Sequence, residues 1–180
     1  MKFVKIVSAV MVATTLGATA VVATPQADLT AQAKAKKSLK TIPKQFRGTW
    51  YHYEKYDGYD YQKISAKKIK DHDEKRNNTM MMHQFDLNKK VSNNSKKNWM
   101  LAYKKSANKY IMADWYSYAY WKFDKFESEK DLGAYQMTTR KYKGKTVKVI
   151  KRTLPYSAGT WYIYSPSKAL AKHLWNLDNK

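Results

Sequence analysis

The sequence predicts an all-β fold, an antiparallel barrel or sandwich of eight or nine strands with a short C-terminal helix. Three observations predict it. Short aromatic or β-branched runs recur along the chain, parted by turn residues such as Asp57-Gly58, Asn77-Asn78 and Lys143-Gly144. No helical patterns come between those runs, which speaks against alternating strands and helices. A Trp-Tyr-x-Tyr motif occurs three times, in GTWYHYE at 48–54, WYSY at 115–118 and GTWYIYS at 159–165. Its alternation suits a pleated strand, whose successive side chains point to opposite faces.

The chain opens like a secretory signal. Lys2 and Lys5 precede an apolar or small stretch over 6–17, and Ala18-Thr19-Ala20 offers a cleavage site. Residues 1–27 are assigned to the signal, with cleavage between 20 and 33. Ser8, Thr14, Thr15 and Thr19 interrupt the apolar run, and a spanning helix needs about 20 apolar residues. No transmembrane segment is therefore expected after cleavage. Residues 28–42, DLTAQAKAKKSLKTI, are lysine-rich and free of aromatics, and are assigned to a flexible basic leader. A single β-barrel domain is expected over 43–180, beginning at Pro43, which holds the preceding residue extended. Its length suffices for one hydrophobic core.

Within the domain, strands are expected at 49–55, 62–70, 79–87, 98–104, 110–114, 115–123, 134–142, 146–154 and 160–165. Lys141 to Lys145, centred on Gly144, reads as a hairpin turn. The helix is expected at about 166–176, with Ser165 as cap, Pro166 in its first turn and Leu170, Leu174 and Leu177 on one face.

Alternation gives each aromatic motif two faces. Trp50 and His52 share one, Tyr51 and Tyr53 the other; Trp161 and Ile163 oppose Tyr162 and Tyr164. Read as a strand, 115–123 sets Trp115 and Trp121 against Tyr116, Tyr118 and Tyr120. Trp faces are expected in the core and Tyr faces half-exposed under lysine stems; the opposite assignment puts the tyrosines inside a wet barrel. Tyr51, Tyr53, Tyr116, Tyr118, Tyr120, Tyr162 and Tyr164 are thus the candidate binding residues. The near-identical first and last strands are expected to pair and close the sheet.

Charge points to the partner. The chain has 35 Lys+Arg against 14 Asp+Glu, a formal net charge of +21, and its only arginines are Arg47, Arg76, Arg140 and Arg152. A lysine field attracts polyanions diffusely, whereas arginine forms shaped bidentate contacts. With an export signal, the expected partner is an anionic cell-wall polymer or glycan, not a dedicated nucleic acid. The expected location is secreted or at the cell envelope. The chain has no cysteine, so disulfides are excluded and the core must carry stability.

Catalytic signatures are missing: the chain has no H-E-x-x-H, G-x-S-x-G or phosphate-binding loop. No catalytic residue, metal ligand or cofactor is predicted. DHDE at 71–74 reads as a solvated turn, and His52 and His83 as core or rim histidines. Glu54, Asp114, Glu127 and Glu129 could supply a glycosidase pair only if two of them stood about 5 to 9.5 Å apart in a cleft. TMMMHQF at 79–85 reads as core filling.

IPKQFRGTWY, Ile42 to Tyr51, resembles the opening of small secreted proteins of lactic-acid bacteria. Gly48-Thr49-Trp50 resembles the G-x-W start of calycin barrels, lipocalins and avidins among them, whose Trp plugs one barrel end. That resemblance implies a calycin-like barrel and, as an alternative function, carriage of a small apolar ligand inside it. The leading expectation is a non-enzymatic, exported, cationic binding protein; a cell-wall hydrolase or accessory enzyme is the third reading.

Overall fold

A computed structural model describes residues 37–73, 76–89, 98–124, 129–154 and 160–179. The signal and most of the leader lie outside the described residues. Nine strands form one sheet in chain order: β1 (Gly48–Glu54), β2 (Gly58–Ile64), β3 (Lys68–His72), β4 (Asn77–Met82), β5 (Trp99–Lys104), β6 (Lys109–Asp114), β7 (Ala134–Tyr142), β8 (Lys145–Thr153) and β9 (Trp161–Tyr164). The sheet is mixed and nearly closed into a barrel. Its neighbours are antiparallel except β4 and β5, which run parallel through Met81↔Trp99 and Met82↔Met100. The first and last strands meet as expected, but at a single bridge: Tyr51 and Ser165 exchange backbone hydrogen bonds of 2.7 and 2.8 Å.

Among the described residues two α-helices accompany the sheet, α1 (Trp115–Ala119) and α2 (Lys168–Asp178). Among the described residues no helix is long and apolar enough to cross a membrane.

The barrel interior holds Trp50, Ile64, Ile69, Met82, Met100, Met112, Tyr135, Ile150 and Tyr164, together with Phe46 from the turn before β1. Trp50 donates to the Phe46 carbonyl at 2.7 Å. The glycine before this aromatic pair is required by the backbone: Gly48 has φ +132°, a region side-chain-bearing residues rarely enter. Between β7 and β8, Lys143 at φ 49° and Gly144 at φ 74° make the expected hairpin turn.

β5 and β6 are buried on both faces. Met100, Ala102 and Met112 point into the barrel, whereas Leu101, Ile111 and Ala113 pack outward beneath Trp115, Tyr118 and Ala119 of α1. A third cluster seats Leu170 and Leu174 of α2 on Val149 and Ile163.

Five expectations are corrected. The strand expected at 79–87 runs from Asn77 to Met82, so Asn77-Asn78 lie in it and not in a turn. The run 62–70 is two strands, not one: Ser65 N–H donates to Lys68 O at 2.8 Å across the turn, with no Gly, Pro or Asn to mark it. Residues 115–123 are helical. Asp114 caps α1, its Oδ1 accepting from Ser117 N–H at 2.9 Å and its Oδ2 from Ser117 Oγ at 2.8 Å, and a π-helical turn follows at Tyr120–Asp124. The C-terminal helix begins after Ser167, whose Oγ accepts from Leu170 N–H, while Ser165 is spent on the bridge to β1. Finally, packing begins before residue 43. Lys37 bridges Asp86, Leu39 N–H donates to Ala102 O at 2.7 Å, and Ile42 is fully buried.

Candidate functional site

The outer face of β1 and β2 carries a tyrosine ladder. Tyr51 and Tyr53 point outward, and register sets Tyr61 opposite Tyr51 and Tyr59 opposite Tyr53. The ring centroids lie 6.3 and 4.9 Å apart. Helix α2 borders the ladder. Lys168 Nζ stands 5.1 Å from the Tyr59 ring centre and 6.0 Å from that of Tyr51. One turn on, Lys172 Nζ stands 5.6 Å over Tyr53, and Trp175 meets Tyr53 edge-on at 5.8 Å. Each exposed ammonium-ring contact contributes about 0.5–1 kcal/mol. Together they hold two cations beside aromatic faces.

The same outer face continues onto β3 and β4. Tyr61 stacks on His72 at 4.6 Å. Beyond it Lys63 lies directly opposite Lys70, and Lys70 opposite Thr79. A cavity of about 320 Å³ is lined by Tyr61, Lys63, Lys70, His72, Asn77 and Thr79, among others.

At the β1–β9 seam, His52 stacks on Tyr162 at 4.2 Å. Its Nδ1 donates to the Ile163 carbonyl at 3.1 Å, and its Nε2 lies 3.0 Å from Glu54 Oε1. Glu54 Oε2 accepts from Trp175 Nε1 at 3.0 Å. A cavity of about 200 Å³ opens here among Glu54, Trp161, Tyr162, Leu174 and Trp175.

Deeper in the barrel is a polar knot. Arg152 Nη1 pairs with Asp71 Oδ2 at 3.4 Å and donates to Tyr164 Oη at 3.2 Å. Gln62 Nε2 donates to Asp71 Oδ1 and to Tyr135 Oη, both at 3.2 Å. Burial works against the Arg152 charge, but Tyr135, Tyr164 and Asp71 outweigh it and raise its pKa.

The seven candidate tyrosines fall into three groups. Tyr51 and Tyr53 stand on the ladder. Tyr162 and Tyr164 point inward, which reverses the assignment for β9: Tyr164 is buried, and Trp161 is 40% exposed beneath Lys151, whose Nζ lies 4.2 Å from its ring centre. The cause is α2, whose Leu170 and Leu174 cover Ile163 from outside and so leave the tyrosines to the interior. Tyr116 and Tyr120 pair at 4.2 Å on the helical segment, while Tyr118 is buried, its hydroxyl donating to Leu87 O at 3.0 Å. Tyr118 and Tyr164 are thus core residues, not surface binders. Tyr59, Tyr61, Lys168 and Lys172 were not among the candidates; the i, i+4 lysines on a C-terminal helix were a readable signal, the register of β2 was not.

The other candidates have structural roles. Asp71 and His72 end β3 instead of forming a turn. His83 stacks on Trp99 at 3.7 Å, apart from His52. Asp114 caps α1, and Glu129 accepts from Tyr103 Oη at 2.9 Å and pairs with Lys105. Met82 fills the core, but Met81 is exposed. Glu74 and Glu127 lie outside the described residues. Among the described residues no group of three His, Asp or Glu side chains is placed to hold a metal ion.

Buried tyrosines predict alkaline sensitivity. Burial pushes Tyr118 up to about 12 and also raises Tyr103, Tyr135 and Tyr164. Below about pH 10, the unfolded value, both states keep their protons and this stabilisation is complete. Above it the unfolded chain ionises first, so stability falls as pH rises through 10 toward the folded values. A tyrosinate absorbance titration should show a late phase, above about pH 10, that coincides with loss of structure by circular dichroism. A single phase near pH 10 with structure intact would contradict it.

No family model, no curated protein and no solved structure matches this chain.

Proposed function

We propose that this protein is a non-catalytic binding protein, exported and held at the cell envelope by an anionic polymer or glycan. The observation that carries the reading is the outer face of β1–β2, where Tyr51, Tyr53, Tyr59 and Tyr61 lie between the lysines of α2 and the Lys63–Lys70 pair. Ring faces with polar tips suit sugars and wet contacts, and flanking ammonium groups attract polymer charge. The net charge of +21 draws the polymer to the surface, and the ladder gives it a place to lie. Export rests on the charged and apolar N-terminal segment. Kinship with calycin barrels belongs to the same proposal, supported by Trp50 lying inside a barrel behind Gly48.

Salt dependence tests the reading. Binding to poly(glycerol phosphate) should be strong at about 0.02 M salt and largely lost by about 0.5 M, because screening and counterion release weaken such contacts. Neutral dextran of similar length should bind far less. No binding at the lowest salt, or binding indifferent to salt, would sink it.

A further inference from the structure

We propose that the cavity on the outer face of β2, β3 and β4 is a binding site for a phosphodiester or phosphate group. The inference rests on the polymer reading and names the group this face would grip. Three features of the cavity converge. First, Lys63 and Lys70 are direct cross-strand partners. Like charges directly opposite one another destabilise a sheet, and an anion between them removes that repulsion. Second, His72 Nδ1 is buried and has no hydrogen-bond partner among the described residues. A buried polar atom left unpaired is costly, and a turn of the ring, which lines the cavity, would bring it to an oxyanion acceptor. Third, the rest of the lining is rich in donors: Thr79 offers a hydroxyl, Asn77 an amide and Tyr61 a phenol. Asp71 also lines the cavity, but its carboxylate is paired with Arg152.

The volume of about 320 Å³ leaves room for a phosphate with its flanking carbons. Donors on three adjacent strands suit a tetrahedral oxyanion, which presents acceptors in several directions. Tyr61 joins this cavity to the tyrosine ladder through its pairing with Tyr51, so one polymer segment can occupy both.

The test uses thermal melts and nuclear magnetic resonance titrations of the full chain with inorganic phosphate, with glycerophosphoglycerol and with poly(glycerol phosphate), each against chloride at matched ionic strength. Phosphate should raise the melting midpoint beyond the chloride control and shift the signals of Lys63, Lys70, His72 and Thr79. Replacing both lysines, K63Q/K70Q, should weaken phosphodiester binding about tenfold or more, the scale of losing a charge-assisted contact. The same variant should melt higher than wild type without ligand, because the repulsion is gone, and should lose its response to phosphate. A merely solvated lysine pair would show no such reciprocal change.

If phosphate acts no differently from chloride while the polymer still binds, the site is wrong and the polymer reading stands. If phosphate binds here and the polymer does not, the site stands, its source is free phosphate and the polymer reading falls. If neither binds, both fall. Should K63Q/K70Q fold poorly, T79A with the signals of Lys63 and Lys70 as reporters carries the same test.

Discussion

Reversing the two lysines of α2, as K168E/K172E, should lower affinity for an anionic polymer by about a hundredfold at low salt. Each lysine contributes a charge-assisted contact of about 1.5–3 kcal/mol when it meets an anion, and about 1.4 kcal/mol is tenfold. Both side chains are exposed and stand over Tyr51, Tyr53 and Tyr59, so the fold should survive. The control is K104E/K122E, which changes net charge equally. Lys104 lies on β5 and Lys122 in the helical segment, away from the ladder. If charge acts only as a diffuse field, the two variants lose affinity alike. A loss confined to the α2 pair locates the contact. Equilibrium binding at fixed salt decides between them.

Removing Asp71 should be the most damaging of the polar substitutions inside the barrel. D71A leaves the Arg152 guanidinium, 15% exposed, without its carboxylate. It also deprives Gln62 of an acceptor. Breaking a buried ion pair costs about 3–5 kcal/mol. Asp71 is 26% exposed, so water softens the loss and about 3 kcal/mol is expected. The double variant D71L/R152M should recover most of it, because it leaves no uncompensated charge. Urea unfolding with a shared m-value supplies both numbers. A cost below about 1 kcal/mol for D71A would mean that Arg152 is hydrated and that the knot does not brace the barrel.

Much of the fold was legible because most strands are bounded by residues with turn chemistry. Lys143-Gly144 marks the β7–β8 hairpin, and the turn residues around it fix strands within a residue or two of those seen. Where the turn is Ser65-Ala66-Lys67, no such chemistry marks it, and β2 and β3 merge in the pattern. The motif DWYS shows a different limit. Its Trp and Tyr favour strands, but Asp114 caps a helix, and Trp115, Tyr118 and Ala119 then fall at helical spacing on the core. Tertiary burial of that face outweighs local strand preference.

The candidate site was half legible for a related reason. Alternation divides Trp161 and Ile163 from Tyr162 and Tyr164, but it does not say which pair is inside. That depends on α2, whose Leu170 and Leu174 give Ile163 a second apolar cover outside the barrel. The freed inner face takes Tyr164, whose hydroxyl then meets Arg152. Tyr51 and Tyr53 could be placed from their own strand. Tyr59, Tyr61 and the Lys63–Lys70 pair acquire meaning only from cross-strand register, which pairwise spacing along the chain does not carry.

Binding by one face, the β1–β2 ladder with its α2 lysines continued to Lys63 and Lys70, makes a specific demand of the polymer contact. A nuclear magnetic resonance map of the full chain, titrated with a short glycerol phosphate oligomer at low salt, reads it residue by residue. Shifts should concentrate on Tyr51, Tyr53, Tyr59, Tyr61, Lys63, Lys70, Lys168 and Lys172. Shifts spread evenly over the chain's lysines, or centred on Tyr116 and Tyr120, would contradict it.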